Sequence, residues 1–206
     1  MTHTKVALTM IAFLAALTSA HAELNDAAER IAVGTCANCH GPRGQSTSPK
    51  FPVLAGQHSN YLISQLQTFK AQTRGDPDAI GYMWGMAAPL TDEIIVALAG
   101  YYSKQPTRAG AGSDAAMLAR GKGLYENGNV DAGIPACASC HGNDAAGNDS
   151  FPRLAGQHAQ YLLKQLKSFQ TNLRDVAVMH GVAQSMQIGE MQAVAAYLES
   201  LGGTAQ

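Results

Sequence analysis

The chain of 206 residues is poor in aromatic and in charged side chains. Aromatic residues make up 6% and charged residues 14% of the sequence, and the formal net charge is −1 at pH 7. No run of basic residues is present, which argues against nucleic acid as a partner. No stretch sustains the alternation of apolar and polar residues that is typical of strands, so we predict an all-α fold.

Only one segment has a long apolar run, and it lies at the N-terminus. Residues 6–17 are mostly apolar, follow a short basic start and precede the small-x-small pattern Ala20-His21-Ala22. This order is typical of an export signal, and a dozen apolar residues is short for a membrane span. We predict a signal peptide over residues 1–22, cleaved before Glu23, with an uncleaved anchor as the alternative. The mature chain would then lie outside the cytoplasm, where free thiols tend to oxidise.

Cysteine is scarce, and all of it falls in two Cys-x-x-Cys-His motifs. The residues that form these motifs are Cys36, Cys39 and His40 in the first, and Cys137, Cys140 and His141 in the second. On a helix, positions i, i+3 and i+4 share one face. Two thiols there can bond to the two vinyl groups of one porphyrin while the imidazole points at its iron. The motif predicts covalent attachment of a c-type haem at each site.

The motif has three competing interpretations: a zinc site, a disulfide and a thioredoxin-like dithiol. Two Cys-x-x-Cys pairs could supply four thiolates to zinc, but they are about a hundred residues apart, and zinc needs no histidine after each pair. Histidine is only 7 of 206 residues, so its presence after both pairs by chance would be rare. We therefore prefer two covalent haems.

The chain contains an internal repeat. Residues 51–74 align with residues 151–174 without a gap, and 13 of the 24 positions are identical. Each half carries its own haem motif, so we predict two domains, 23–104 and 115–206, joined by a linker over 105–114. Domains this small are marginal on an ordinary core. A porphyrin in each would supply the apolar interior that the few aromatic side chains do not.

Helical periodicity places five helices around the motifs. They are expected over Glu23–Val33, Ser59–Thr73, the segment after Thr91 to about Tyr102, Ala115–Tyr125 and Gln187–Leu201. Thr91 is a predicted N-cap with acidic residues in the turn that follows. A loop is expected to carry the methionines that precede the helix after Thr91.

Each haem iron needs a second axial ligand opposite its histidine. The candidates are Met83 and Met86 in the first half, and Met179, His180 and Met186 in the second. Aligning Leu90 with Met186, the apolar residue before the last helix of each half, places Met83 on Met179, whereas Met86 falls on a valine. We predict Met83 and Met179 as the axial ligands. The alternates that remain open are Met86 in the first half and His180 in the second.

Other residues recur at matching positions in the two halves. The polar and turn residues among them are Pro52 and Pro152, His58 and His158, and Tyr61 and Tyr161. The prolines are either simple turn residues or supply carbonyls that orient the haem histidines. For His58 and His158 we expect a helix-start or packing role rather than metal binding. The tyrosines face either the haem edge or the domain interface. Residues expected to pack near the haems are Phe51, Leu54, Trp84, Phe151 and Leu154.

These motifs together resemble the dihaem cytochrome c4 family. The features that carry the resemblance are the two Cys-x-x-Cys-His motifs, the repeated Phe-Pro-x-Leu-Ala-Gly-Gln followed by Tyr-Leu-x-x-Gln-Leu, and the methionines before Leu90-Thr-Asp-Glu. The resemblance covers the whole mature chain. It implies two tandem class I cytochrome c domains related by a pseudo-twofold axis, with His40 and Met83 on one iron and His141 and Met179 on the other.

The resemblance also implies a function. Members of the family carry electrons in the bacterial periplasm, and the partners expected are redox proteins, namely a quinol-oxidising complex and a membrane-bound terminal oxidase. Loose peripheral association with the membrane is expected as well. Iron held between imidazole and thioether has no open site for substrate and a raised potential, which favours a carrier over an enzyme. The alternatives are the dihaem subunit of a flavocytochrome sulfide dehydrogenase and a dihaem enzyme such as a peroxidase or thiosulfate dehydrogenase.

Overall fold

The computed structural model describes residues 22–112 and 114–202. The predicted signal peptide, apart from Ala22, lies outside the described residues. Across the two described ranges the chain forms helices and turns with isolated bridging pairs but no strand, so the predicted all-α fold is confirmed. In that same part of the chain, no helix is both long enough and apolar enough to cross a membrane.

The N-terminal half begins with a continuous helical path into the first haem motif. Helix α1 covers residues 22–31, passes through a π-helical turn at Ala32–Cys36 and continues as α2, Ala37–His40. The other helices of this half are α3 (Ser59–Lys70), α4 (Trp84–Ala87, preceded by a π-helical turn at Ala79–Met83) and α5 (Asp92–Ser103).

The C-terminal half repeats this order. Its helices are α6 (Ala115–Asn127), α7 (Ala138–His141), α8 (Ala159–Gln170), α9 (Ala177–Ala183) and α10 (Ile188–Ser200). Between α6 and α7 the chain makes a small antiparallel turn in which Asn129 bridges Ile134. The sequence patterns gave no indication of this turn.

Local hydrogen bonds explain where the helices begin and end. The Thr91 hydroxyl accepts a bond of 3.3 Å from the Ile94 amide, which confirms the predicted N-cap. The predicted end of α3 at Thr73 is wrong, because Gln72 adopts a left-handed conformation with φ of 57°. The Thr73 amide then folds back to the Thr68 carbonyl at 3.0 Å and terminates the helix.

Each half has its own apolar core. In the first half α3 packs against α5, and Leu62, Leu98 and Tyr102 are buried between them. In the second half α6 crosses α10 so closely that a Cβ on Gly121 would lie 2.0 Å from the Ala193 carbonyl oxygen. A glycine is therefore required at this helix crossing.

The predicted linker runs along the C-terminal half rather than away from it. The Ala111 amide donates to the Glu199 carbonyl at 3.1 Å. The Arg108 guanidinium forms an ion pair with the Glu199 carboxylate at 3.4 Å. The segment between the halves is thereby attached to α10.

Candidate haem sites and the joint between the halves

Both Cys-x-x-Cys-His motifs lie at the ends of short helices that stop at a glycine. Gly41 and Gly142 follow the histidines with φ of 73° and 79°. A Cβ on Gly41 would lie 2.6 Å from the Gln45 carbonyl oxygen, so the chain can turn sharply there only without a side chain. This turn leads the chain from each motif towards the Phe-Pro segment that faces the histidine ring.

The two motif histidines are oriented by the same backbone contact. His40 Nδ1 donates to the Pro52 carbonyl at 2.8 Å, and His141 Nδ1 donates to the Pro152 carbonyl at 3.1 Å. Of the two roles considered for the prolines, the structure shows the carbonyl acceptor. Each bond fixes the tautomer and leaves Nε2 with its lone pair, as a metal-binding imidazole requires.

Burial also favours the neutral form of these rings. Burial lowers the pKa of His40 and of His141, and the bond to the proline carbonyl only partly offsets it. A neutral imidazole can bind iron, whereas an imidazolium cannot. Burial raises the pKa of the Cys36 thiol, and it raises that of Cys137 to about 11.

Aromatic rings pack edge-on against the motif histidines. Phe51 lies 6.2 Å from the His40 ring and Phe151 lies 6.1 Å from the His141 ring, measured between ring centroids. Phe151 is 38% exposed, more than its predicted core position suggested. Leu54 and Leu154 contact the apolar cores of their halves, as predicted.

Met83, Met86 and Met179 all lie in helical segments, so the loop predicted for the methionines of the first half is wrong. Met83 ends a π-helical turn and Met179 lies within α9. Both are half-buried, and Met83 packs against the apolar cluster of Phe69, Ala79 and Ala87. Met86 is 54% exposed, whereas Met186 is buried in the core of the second half.

The residue after Met83 and the residue after Met179 each donate a hydrogen bond back towards the preceding long helix. Trp84 Nε1 donates to the Arg74 carbonyl at 2.9 Å, and His180 Nδ1 donates to the Phe169 carbonyl at 2.8 Å. Phe169 lies in the last turn of α8, whereas Arg74 lies four residues beyond the end of α3. The predicted packing of Trp84 is observed, since it contacts the same apolar cluster as Met83.

The residues of each half fit a covalently bound haem. Thiols three positions apart stand beside an imidazole whose Nε2 is free, which is the donor set that c-type attachment needs. Large apolar side chains are also exposed nearby in the chain: Val33, just before the first motif, is 60% exposed, and Ile80 and Val178, on the methionine segments, are 51% and 59% exposed. Exposed apolar side chains at these positions suit contact with a large apolar group.

The zinc and disulfide interpretations have no support in the geometry. All four thiols are free. Over the described ranges, no three histidine, cysteine or acidic side chains come close enough together to hold a metal ion. The two Cys-x-x-Cys pairs therefore do not combine into one site.

A set of reciprocal hydrogen bonds joins the two halves. Gln157 accepts from the Val53 amide at 2.8 Å and donates to the Val53 carbonyl at 2.9 Å. Gln57 makes the same pair of bonds with Arg153, at 2.8 and 3.0 Å. Gln57 contacts residue 153, and its counterpart Gln157 contacts residue 53. The two contacts are therefore exchanged by a twofold rotation, as in an isologous interface. The pseudo-twofold relation predicted from the resemblance is confirmed.

The recurring histidines of the Gln-His pairs belong to this joint as well. His58 Nε2 donates to the Ala146 carbonyl at 2.8 Å, and His158 Nε2 donates to the Ser46 carbonyl at 3.0 Å. Both residues occupy the N-cap position of α3 or α8, so the expected helix-start and packing role is observed.

Two buried arginines meet at the centre of the joint. Arg74 and Arg174 both donate to the side-chain oxygens of Gln65 and Gln165, at 2.7–2.8 Å. Arg174 also donates to the Tyr61 hydroxyl at 2.7 Å, so the tyrosines face the interface. Burial disfavours the Arg74 charge, but Tyr161 and Asp76 outweigh it and raise its pKa.

The sequence interpretation missed the role of these glutamines and arginines. All four are identical between the aligned halves and are polar, which core packing alone would not demand. A signal was therefore present: polar residues that recur on the long helix and shortly after it in both halves indicate a shared polar interface.

Comparisons with known proteins agree with this architecture. The Cytochrome c family model matches the chain twice, over residues 26–104 and 118–202. The cytochrome c4 of Stutzerimonas stutzeri is 38% identical, and the alignment covers 96% of this chain and 99% of that protein. A cytochrome c4 structure from Acidithiobacillus ferrooxidans aligns with a TM-score of 0.77 at 40% identity, covering 81% of this chain and 98% of the other. The thiosulfate dehydrogenase electron acceptor of Thiomonas intermedia is 37% identical over 80% of this chain and 77% of its own.

Two matching domains, each with a Cys-x-x-Cys-His motif, define a tandem c-type cytochrome with two covalently bound haem c groups. Within that class the chain belongs to the dihaem cytochrome c4 family. It is accordingly an electron-transfer protein that works with redox partners, and not an enzyme.

Proposed function

We propose that each haem is held by the residues of its own half. Cys36 and Cys39 form the thioethers of the first haem, and Cys137 and Cys140 those of the second. The axial pairs are His40 with Met83 and His141 with Met179. The observation that carries the histidine assignment is the Nδ1 bond to a proline carbonyl, made at matching positions in both halves.

The methionine assignment is supported by burial and by the repeat. Met83 and Met179 occupy equivalent positions and are both half-buried. The alternate Met86 is more exposed, and its counterpart is a valine, which cannot bind iron. The alternate His180 has as its counterpart a tryptophan, which also cannot bind iron.

These residues suit the chain to moving one electron at a time. Haem c, when bound, supplies a one-electron iron couple. The neutral histidine and the thioether together favour the reduced state and raise the potential. If His40 with Met83 and His141 with Met179 hold the irons, no position would be left for oxygen, peroxide or substrate, and little change of ligands would be needed when the electron moves.

We propose that the carrier works in the periplasm, between a quinol-oxidising complex and a membrane-bound terminal oxidase. Residues 1–22 act as the signal peptide, 23–104 and 115–206 form the domains, and 105–114 form the linker. The N-terminal pattern of a basic start, an apolar run and a small-x-small site supports export. Contacts with the partners, including any loose membrane association, are small and transient.

A second candidate is that the chain accepts electrons from a sulfur-oxidising enzyme. The similarity to the thiosulfate dehydrogenase electron acceptor of Thiomonas intermedia favours it. A flavocytochrome sulfide dehydrogenase would place the chain in a comparable role. Co-purification of the exported protein with an enzyme subunit, rather than with a quinol-oxidising complex, would support this candidate.

The ligand assignment is tested by a redox titration with ligand-sensitive spectroscopy on the full-length holoprotein. We expect Met83→Ala and Met179→Ala each to abolish the sulfur-to-iron charge-transfer band of one haem and to lower its potential, because a soft ligand is lost. Met86→Ala is the matched control and should leave both haems unchanged. If Met86→Ala instead converts the first haem to high spin while Met83→Ala does not, the assignment is wrong.

A further inference from the structure

We propose that Trp84 and His180 are positioning residues that hold the methionine segments of the two halves in place. The proposal rests on the ligand assignment of Met83 and Met179 above. Each residue directly follows the proposed ligand, and each directs a ring N–H at a backbone carbonyl near the end of the long helix of its own half.

The internal repeat places Trp84 and His180 at matching positions. Met83 and Met179 are 96 positions apart, and so are Trp84 and His180. Two chemically different side chains therefore occupy one structural position. Both have a planar aromatic ring system with an N–H donor, and both donate it to a backbone carbonyl in or after the last turn of the long helix, although the accepting residues, Arg74 and Phe169, are not counterparts in the repeat. The feature common to the two halves is therefore a ring N–H at this position that ties the methionine segment to the main chain.

Helix geometry links the direction of each ring to the direction of the methionine before it. Successive residues on a helix point about 100° apart, so a side chain that turns towards α3 or α8 leaves its predecessor facing another direction. Anchoring residue 84 or 180 to the long helix thus fixes the rotation of the segment at the methionine. In the first half, Met83 and Trp84 also pack against an apolar cluster that includes Phe69 of α3.

This assignment separates His180 from the role of iron ligand. Its Nδ1 bond leaves Nε2 with a lone pair, as in His40, so the hydrogen bond alone would permit iron binding. The repeat decides the matter, because Trp84, at the matching position, also donates its ring N–H to the main chain of its own half and has no lone pair to offer a metal. We therefore assign His180 to anchoring the segment and leave the iron position to Met179.

The test uses full-length holoprotein and imidazole as the competing ligand. Imidazole binds the ferric iron only when the methionine leaves, so its affinity reports how firmly the segment is held. In NMR spectra of the ferrous protein, each haem with a methionine ligand gives one ring-current-shifted methyl signal. The signal that changes in a variant shows which half is affected. We expect Trp84→Phe to raise the imidazole affinity of the first haem about tenfold and to leave the second unchanged. His180→Phe should do the reverse.

Two exchange variants test whether the contact or the residue matters. Trp84→His and His180→Trp each retain a ring N–H at the shared position, so both should keep the affinity within about threefold of wild type. Tyr82→Phe is the matched control, because it removes a hydroxyl from the exposed residue on the other side of Met83. It should change the affinity less than twofold.

Three results would overturn the proposal. The first is wild-type imidazole affinity in Trp84→Phe. The second is failure of both exchange variants to retain wild-type behaviour. The third is a second haem that lacks a methionine methyl signal in the wild type and becomes high spin in His180→Phe, which would make His180 the ligand. Failure of the ligand assignment is distinguishable, since both methyl signals would then persist in Met83→Ala or Met179→Ala.

Discussion

The N-terminal half reaches its haem motif along one helical path, whereas the C-terminal half interrupts that path. Helix α1 runs through a π-helical turn directly into α2. In the second half α6 stops at Gly128, where a left-handed φ of 70° turns the chain into the bridged segment before α7. The motif histidines nevertheless meet their proline carbonyls in the same way.

The methionine segments differ in length as well. Met83 follows Arg74 by nine residues, and Met179 follows Arg174 by only five. The longer segment contains Asp76, whose carboxylate pairs with Arg74 at 2.6 Å. Arg174 has no carboxylate partner among the described residues and relies on neutral oxygens. The comparison shows that contacts to the motif histidines and across the joint are retained, while the chain between them varies in length and charge.

The largest effect should come from removing the buried carboxylate that pairs with Arg74 in the first half. Asp76 is 2% exposed, and Asp76→Asn leaves two buried guanidinium groups without a carboxylate. We expect a loss of ~3 kcal/mol in the free energy of unfolding, as for other broken buried pairs. Urea denaturation of the holoprotein measures it. The control Asp175→Asn removes an exposed carboxylate of the second half and should change stability by less than ~0.5 kcal/mol. Equal midpoints for the two variants would contradict the buried-charge argument.

The next prediction concerns the reciprocal hydrogen bonds that both halves make across the joint. Gln57→Ala and Gln157→Ala each remove two hydrogen bonds across the joint and one to the amide of the following histidine. The groups left without these partners are the amide and carbonyl of half-buried Arg153 in the first case and of buried Val53 in the second. Each should cost ~2 kcal/mol, and the two losses should agree within ~0.5 kcal/mol because the contacts are reciprocal. Gln67→Ala, at an exposed position on α3, is the control in the same denaturation experiment. A large difference between the two joint variants would show that the interface is not energetically symmetric.

The smallest effect concerns helix crossing, where the second half is tighter. Gly121→Ala forces a methyl group against the Ala193 carbonyl and should destabilise the protein by about 1–2 kcal/mol. Gly123→Ala, on the same helix, and Gly100→Ala, on α5, meet no atom within 4 Å. Both should stabilise by about 0.5–1 kcal/mol, since glycine is a poor helix former. Thermal unfolding resolves the opposite signs, and destabilisation by Gly100→Ala would indicate an equally tight crossing in the first half.

Sequence patterns predicted those features that depend on neighbours along the chain. The repeat, the two haem motifs, the N-cap at Thr91 and the positions of the long helices all follow from local spacing. The predicted end of α3 was three residues too late, because no residue before Gln72 signals its left-handed conformation.

The joint could not be predicted in the same way. Gln157 and Val53 are 104 residues apart, and nothing local to either marks them as partners. The charge difference between the arginines was hidden for the same reason, since it depends on which side chains meet in three dimensions. Helical structure around Met83 and Met86 was missed because that segment is short and contains two glycines, Gly81 and Gly85.

The glutamines and histidines of the joint contact main-chain atoms of the opposite half, and this has a consequence for how the sequence can change. The accepting positions are Val53 facing Gln157, and Arg153 facing Gln57. A peptide group offers the same amide and carbonyl whatever side chain it carries, so one half can present an apolar residue where the other presents a cation. Mutational drift can thus make the two haem environments unlike each other without separating the lobes that hold them.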